Sequence, residues 1–327
     1  MTSNQFSIRL HEARKMMGLS MEKLAELTGG IITKQSISRY EKGLMLPKRV
    51  AKLAMAKALN ISDSYFDGTN ISIDVPMLRT TSNGKLSEDE LQALEAKLSF
   101  WAEQYLAKEK EAGFPTQFNN PIEGTKISTL EDAIHAADLL REKWHCGDGP
   151  IASILRLLER KGIMILAATL PDYVFGMSTW ADKKHPLMIL DFNPEKSSVE
   201  KLRFTAAHEL AHLLLLFPED SPLRLEKRCD LFASFFLLPK LALIEELGSK
   251  KREKITLEEM IDIKELYGAS LAASIIAARD YGIITTEYKR AWYAEHIEPN
   301  PREIGSGHYA FPETLGREKR VNSIIDS

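Results

Sequence analysis

Arg203-Phe204-Thr205-Ala206-Ala207-His208-Glu209-Leu210-Ala211-His212-Leu213-Leu214-Leu215-Leu216-Phe217 is the stretch that decides the reading of this 327-residue chain. Its centre carries the spacing H-E-x-x-H. On an α-helix, residues four apart stand on one face. Two imidazoles one turn apart can share a single Zn²⁺, while Glu209, beside the first, faces the same cavity as a base for a metal-bound water. The apolar neighbours Phe204, Ala207, Leu210, Ala211 and Leu213 to Leu216 predict a buried helix. Burying three ionisable groups without a metal or partners costs several kcal/mol, so the pattern asks for a metal.

Two histidines leave a hydrolytic zinc short of its third protein donor. The next predicted helix, residues 225–239, offers one: Glu226 and Asp230 are four apart, on one face. Glu226 can reach the metal, and Asp230 can accept the free N–H of a ligand imidazole and so fix its tautomer. Glu219 and Asp220, in a Pro-flanked loop, and His185, in a hairpin turn, are weaker donors. Ahead of the motif, residues 129–144 and 151–161 read as helices, and residues 163–167, 173–180 and 186–192 as strands. Asp182-Lys-Lys-His185 makes the turn between the last two. A small sheet against such a helix suits peptide hydrolysis, because an edge strand can hold an extended peptide by strand addition.

Composition sets the frame. Hydrophobic content of 44% with 27% charged residues describes a globular protein, and the length suits two or three domains. No apolar run reaches a membrane span and the N-terminus lacks a signal h-region, which predicts a cytoplasmic protein without membrane partners. Cys146 and Cys229 make no disulfide framework. Net charge is −3, yet residues 1–68 hold eleven Lys/Arg against six Asp/Glu. A basic head on an acidic body is expected where one domain meets nucleic acid.

That head reads as short helices. Ser20 and Thr33 are N-caps, Gly43 is a stop, Pro47 opens a fourth helix, and a fifth follows Asp63. Leu24-Ala25, Ile37-Ser38-x-x-Glu41-x-Gly43 and Pro47 resemble the phage-repressor-type (XRE-like) helix-turn-helix domain. The resemblance implies a third helix in the major groove of an operator. Lys34, Gln35, Ser36, Ser38 and Arg39 would be its reading residues, Gln suiting adenine, Arg guanine, and Ser and Lys phosphates. The turn before that helix is about two residues longer than usual, and Met21 stands where a phosphate-contacting Gln is common.

Gly149-Pro150, Arg203-Phe204-Thr205, His208-Glu209-x-x-His212 and Glu226-x-x-x-Asp230-x-Phe232-Ala233 through Leu238-Pro239 are similar to the ImmA/IrrE family of metallopeptidases, over residues of about 150–284. Cys229-Asp230 replaces the usual Ala-Asn or Ala-Asp. The resemblance implies one zinc per chain held by His208, His212 and Glu226, with Glu209 as catalytic base and Asp230 behind a ligand. It also implies a protein substrate such as a helix-turn-helix repressor.

The expected organisation is multidomain. An all-α helix-turn-helix head spans 1–68, a linker with a connecting helix 69–124, an α+β zincin-like domain with a small sheet and a helical C-terminal part 125–290, and a C-terminal extension 291–327. The connecting helix carries Leu91, Leu94, Leu98, Trp101 and Tyr105 as a seam for the metal domain or for a second chain, which leaves a homodimer open. The extension reads as loop then short helix, either a lid over the cleft or a loose tail. The expected function is a DNA-binding transcription regulator fused to a zinc endopeptidase. The alternative is a repressor or antitoxin-like regulator whose zinc domain senses a ligand or partner without proteolysis.

Overall fold

Local capping places the helices of the head. The computed structural model describes residues 3–68, 71–73, 87–115, 117–170, 174–219, 221–248 and 250–326. The linker residues Pro76 and Asn83-Gly84, the predicted strand start at Tyr173 and Asp220 lie outside the described residues. The chain forms two compact units. One is Met1–Thr116 with Thr179–Lys184 and Val321–Ser327; the other is Gln117–Ser178 with His185–Arg320.

The first unit contains α1 (Ser3–Met16), α2 (Met21–Leu27), α3 (Lys34–Glu41), α4 (Arg49–Ala58) and α5 (Glu88–Glu111). Ser20 accepts from the Lys23 amide and Thr33 from the Ser36 amide, so each fills one orphan donor of the helix it opens. Gly43 ends α3 at φ 68°, a conformation a side chain would strain. The fifth helix is a single 3-10 turn, Asp63–Asp67, which delivers Tyr65 and Phe66 to a core of Phe6, Leu10, Leu24, Ile37, Met55 and Leu59. Ser87 and Glu90 close a capping box at the start of α5.

The seam of α5 was expected to meet the metal domain or a second chain; within this unit α5 meets α1 and the 3-10 turn. Arg9 Nη1 lies 2.5 Å from Glu103 and Lys15 Nζ 2.6 Å from Asp89, while Phe100 meets Tyr65 at 5.5 Å between ring centres. Ile73 makes an isolated antiparallel bridge to Ala181, inside this same unit.

Beyond α5 the chain builds α6 (Leu130–Trp144), α7 (Ile154–Arg160), β1 (Met164–Ala167), β2 (Gly176–Ala181), β3 (His185–Leu190), α8 (Val199–Leu214) and α9 (Pro222–Leu237). Then come α10 (Lys240–Glu246), α11 (Leu257–Tyr267), α12 (Leu271–Asp280), α13 (Thr286–His296) and α14 (Arg317–Ile325). Thr129, Ser153 and Ser198 cap α6, α7 and α8. The strand order is β1-β3-β2, with β1 parallel to β3 in the register Met164↔Leu187 to Ala167↔Leu190. Asp182 and Lys183, at φ 51° and 53°, form the tight turn that makes β2 antiparallel to β3. Among the described residues, no helix is long and apolar enough to cross a membrane.

The C-terminal extension is not a loose tail. It is strapped to the body by buried charges. Arg203 on α8 is 0% exposed. It donates to the carbonyls of Ile151, Tyr267 and Gly268, lies 4.0 Å over the Tyr309 ring, and pairs with Glu313. Glu313 also caps α7, accepting from Ser153 Oγ at 2.7 Å and from the Ile154 amide at 2.9 Å. Glu303 caps α12 through the Leu271 and Ala272 amides and pairs with Lys264 at 2.9 Å. Gly268 has φ 64° and approaches Arg203 and Tyr309 too closely for a Cβ.

Because Glu313 closes the strap, Glu313→Gln should leave Arg203 buried without its counter-charge, a change that typically costs about 3–5 kcal/mol. Chemical denaturation followed by tryptophan fluorescence should show that loss, with faster tryptic release of the tail. Unchanged stability would contradict the strap.

Candidate metal centre

Helices α8 and α9 each turn one i, i+4 pair toward the other. His208 and His212 come from α8, Glu226 and Asp230 from α9. His208 meets both acids and His212 meets only Glu226, so the helices run antiparallel. His208 Nε2 lies 3.2 Å from His212 Nε2 and 3.0 Å from Glu226 Oε2, and His212 Nε2 lies 3.6 Å from that same oxygen. Three donors each about 2.0–2.2 Å from one tetrahedral zinc stand about 3.3–3.5 Å apart. The triangle fits one ion.

Asp230 Oδ1 accepts from His208 Nδ1 at 2.8 Å, which leaves the Nε2 lone pair facing the cluster. Burial disfavours a charged His208 ring, but the hydrogen bonds to Asp230 and Glu226 outweigh it and raise its pKa to about 9. The hydrogen bonds to His208 and His212 hold the Glu226 carboxyl well below the usual carboxylate range.

Cys229 offers a rival donor set, since His208, His212 and Cys229 also place ligand atoms within 4.8 Å of one another. Its Sγ lies 3.7 Å from His212 Nδ1, the ring nitrogen that faces away from His208 Nε2. An ion between the two Nε2 atoms meets Glu226 instead. Burial also pushes the Cys229 thiol up, against the thiolate a metal needs. Glu226 thus shares one point with both Nε2 atoms, and its side chain is 45% exposed, so the mouth of the cluster opens to solvent.

Glu209 points to the sheet side of α8. It is 8% exposed and accepts from Ser178 Oγ at 2.7 Å. Sequence reading missed Ser178. Its signal was a hydroxyl inside an apolar strand, two residues after Gly176 and so on the same strand face. Gly176 lets β2 approach α8, because a Cβ there would lie 2.6 Å from Thr205 Cγ2 and 2.9 Å from Leu190 Cδ2. Helix α8 ends at Leu214, so Leu216 falls outside it and is 55% exposed rather than buried as expected.

In the head, α3 buries Ile37 and Tyr40 and exposes Lys34, Gln35 and Arg39. Ser36 and Ser38 are half-buried, and the Ser36 hydroxyl is shared with the Thr33 cap at 3.0 Å. Lys34 pairs with Glu22 on α2.

Comparison with known proteins agrees with both halves. Residues 10–66 match the model of a helix-turn-helix domain. Residues 158–276, which contain every donor above, match that of the IrrE N-terminal-like domain, a metallopeptidase family. No curated protein matches. The crystal structure of ComR from Streptococcus suis aligns over 100% of this chain and 77% of its own at 14% identity; a TM-score of 0.19 carries no argument.

A raised His208 makes metal binding a proton exchange. Below about pH 9 the ring must lose a proton to offer Nε2, so zinc affinity should fall about tenfold for each pH unit below that point. Calorimetry in buffers of different ionisation enthalpy should show about one proton released per zinc near pH 7.5. An unshifted imidazole, mostly neutral there, would release about a tenth of one.

Proposed function

We propose that this chain is a cytoplasmic, DNA-binding transcription regulator carrying a zinc-dependent endopeptidase that cleaves a regulatory protein, a helix-turn-helix repressor being the substrate class its resemblance implies. The observation behind this reading is the convergence of His208, His212 and Glu226 on one point, with Glu209 held separately by Ser178. In this reading His208, His212 and Glu226 hold one Zn²⁺ per chain, and Asp230 fixes the His208 tautomer. Zinc supplies Lewis-acid polarisation of a scissile carbonyl.

The remaining chemistry belongs to the chain. Glu209 takes the proton of the attacking water and gives it to the leaving nitrogen. Ser178 donates to one Glu209 oxygen and so aims the other. Glu209 sits in a mostly dry wall between α8 and β2, where a fixed carboxylate loses little to water. The helix-turn-helix match supports operator binding through Lys34, Gln35, Ser36, Ser38 and Arg39. Lys34 must exchange Glu22 for a phosphate, whereas Gln35 and Arg39 stand exposed.

Glu209→Gln should keep one zinc per chain and abolish cleavage of a repressor encoded beside this gene; His208→Ala should lose both. Ser178→Ala should keep zinc and lower kcat about 10–100-fold, with partial rescue by Ser178→Thr. Full zinc loading with no cleavage by the unaltered protein would instead favour the sensing regulator. On the DNA side, Arg39→Ala should weaken operator binding by about 1–3 kcal/mol in fluorescence anisotropy at fixed salt. No change would remove Arg39 from the reading surface.

A further inference from the structure

Strand β2 and helix α8 run side by side in the same direction. Phe175, just before β2, lies beside Lys201; Gly176 packs on Thr205; Ser178 reaches Glu209. Three strand steps cover about 10 Å and the eight helical steps from 201 to 209 about 12 Å, so the two ladders keep pace. Among the described residues, Gly176 to Ser178 have β3 on one side and no strand on the other.

Lys201 is seven residues before His208, hence nearly on its face of α8 and about 10 Å up the axis. Its Nζ lies 4.8 Å from the Phe175 ring centre and 5.8 Å from that of Phe204. Among the described residues this ammonium has no ion pair and no hydrogen bond. Lys201 is exposed; partial desolvation depresses its pKa, and the charge of Asp230, the His208 partner, offsets part of that. The lysine is therefore held by two aromatic faces, which fix its position without neutralising it. It stands within the electrostatic reach of the acid that lines the metal cluster.

An extended peptide added along Gly176 to Ser178, the part of β2 that no described strand flanks on its outer side, would run between the metal donors and Lys201. Antiparallel addition, the commoner pairing, runs such a peptide from the metal toward Lys201. At about 3.3 Å per residue, the side chain reaching Lys201 is about the third after the scissile bond. We propose that Lys201, clamped by Phe175 and Phe204, is a specificity residue that selects an Asp or Glu side chain about three residues C-terminal to the cleaved bond.

This rests on the peptidase reading, and the two can fail separately. The probe is a degenerate pool of ten-residue peptides with blocked termini, used with the zinc-loaded full chain. Peptides retained by the Glu209→Gln protein should be enriched in Asp and Glu about three- to fivefold, the scale of one partly screened ion pair. Adding Lys201→Glu should invert that preference toward Lys and Arg, while Lys201→Arg should keep it, all at equal zinc content. Sequencing of products cut by the unaltered protein should place the acidic preference about three residues after the cut.

Retained peptides without acidic enrichment, or enrichment unchanged by Lys201→Glu, would overturn the assignment. A preference lying N-terminal to the cut would overturn the antiparallel placement and with it the proposal as stated. Lys201-dependent retention without any cleavage would sustain the acidic selectivity and overturn the peptidase.

Discussion

The second unit depends on one constraint: two antiparallel helices bring two half-buried imidazoles against two carboxylates at a mouth that opens to solvent. His208 and His212 face Glu226 and Asp230 across the contact of α8 with α9. The half-buried His208 ring would be costly to leave without partners, and the two acids meet it at 2.8 and 3.0 Å. Once the His208 ring gives up a proton, the same approach lets two Nε2 atoms and a carboxylate oxygen converge, donor types that zinc takes. Glu209 escapes the cluster by being one residue on, about 100° round the helix, where the sheet receives it.

Strand β2 carries the second half of the arrangement. Its glycine at 176 brings the backbone against Thr205, and that close approach sets the Ser178 hydroxyl on Glu209. A larger residue at 176 would push the strand outward and lengthen that bond. At its N-terminal end α8 is fixed by Arg203 and the C-terminal strap. Arg203 precedes His208 by five residues, about 140° round the helix, so the strap braces α8 from a face away from the metal donors.

What was legible in the sequence was local. Ser20 and Thr33 cap helices through bonds to amides three residues on, and the i, i+4 pairs of α8 and α9 follow from helical period alone. Glu226 followed from zinc needing a third donor. What escaped was set by contacts distant in sequence. Ser178 meets Glu209 across 31 positions and Arg203 meets Glu313 across 110. No periodicity marks such pairs. The seam of α5 was visible, but apolar spacing does not say which neighbour covers it, and its charged partners Arg9 and Lys15 lie more than seventy positions away. The fifth helix of the head shrank to a 3-10 turn because five residues between Ser62 and Gly68 leave room for little more.

The central claim is that one metal is held by two imidazoles and Glu226, with Cys229 kept on the far nitrogen of His212. X-ray absorption at the zinc edge of the freshly purified full chain tests it most directly. The account predicts a first shell of nitrogen and oxygen at about 2.0–2.2 Å, two imidazole signatures and no sulfur. A sulfur scatterer at about 2.3 Å that disappears in Cys229→Ser would place the thiol on the metal and contradict it.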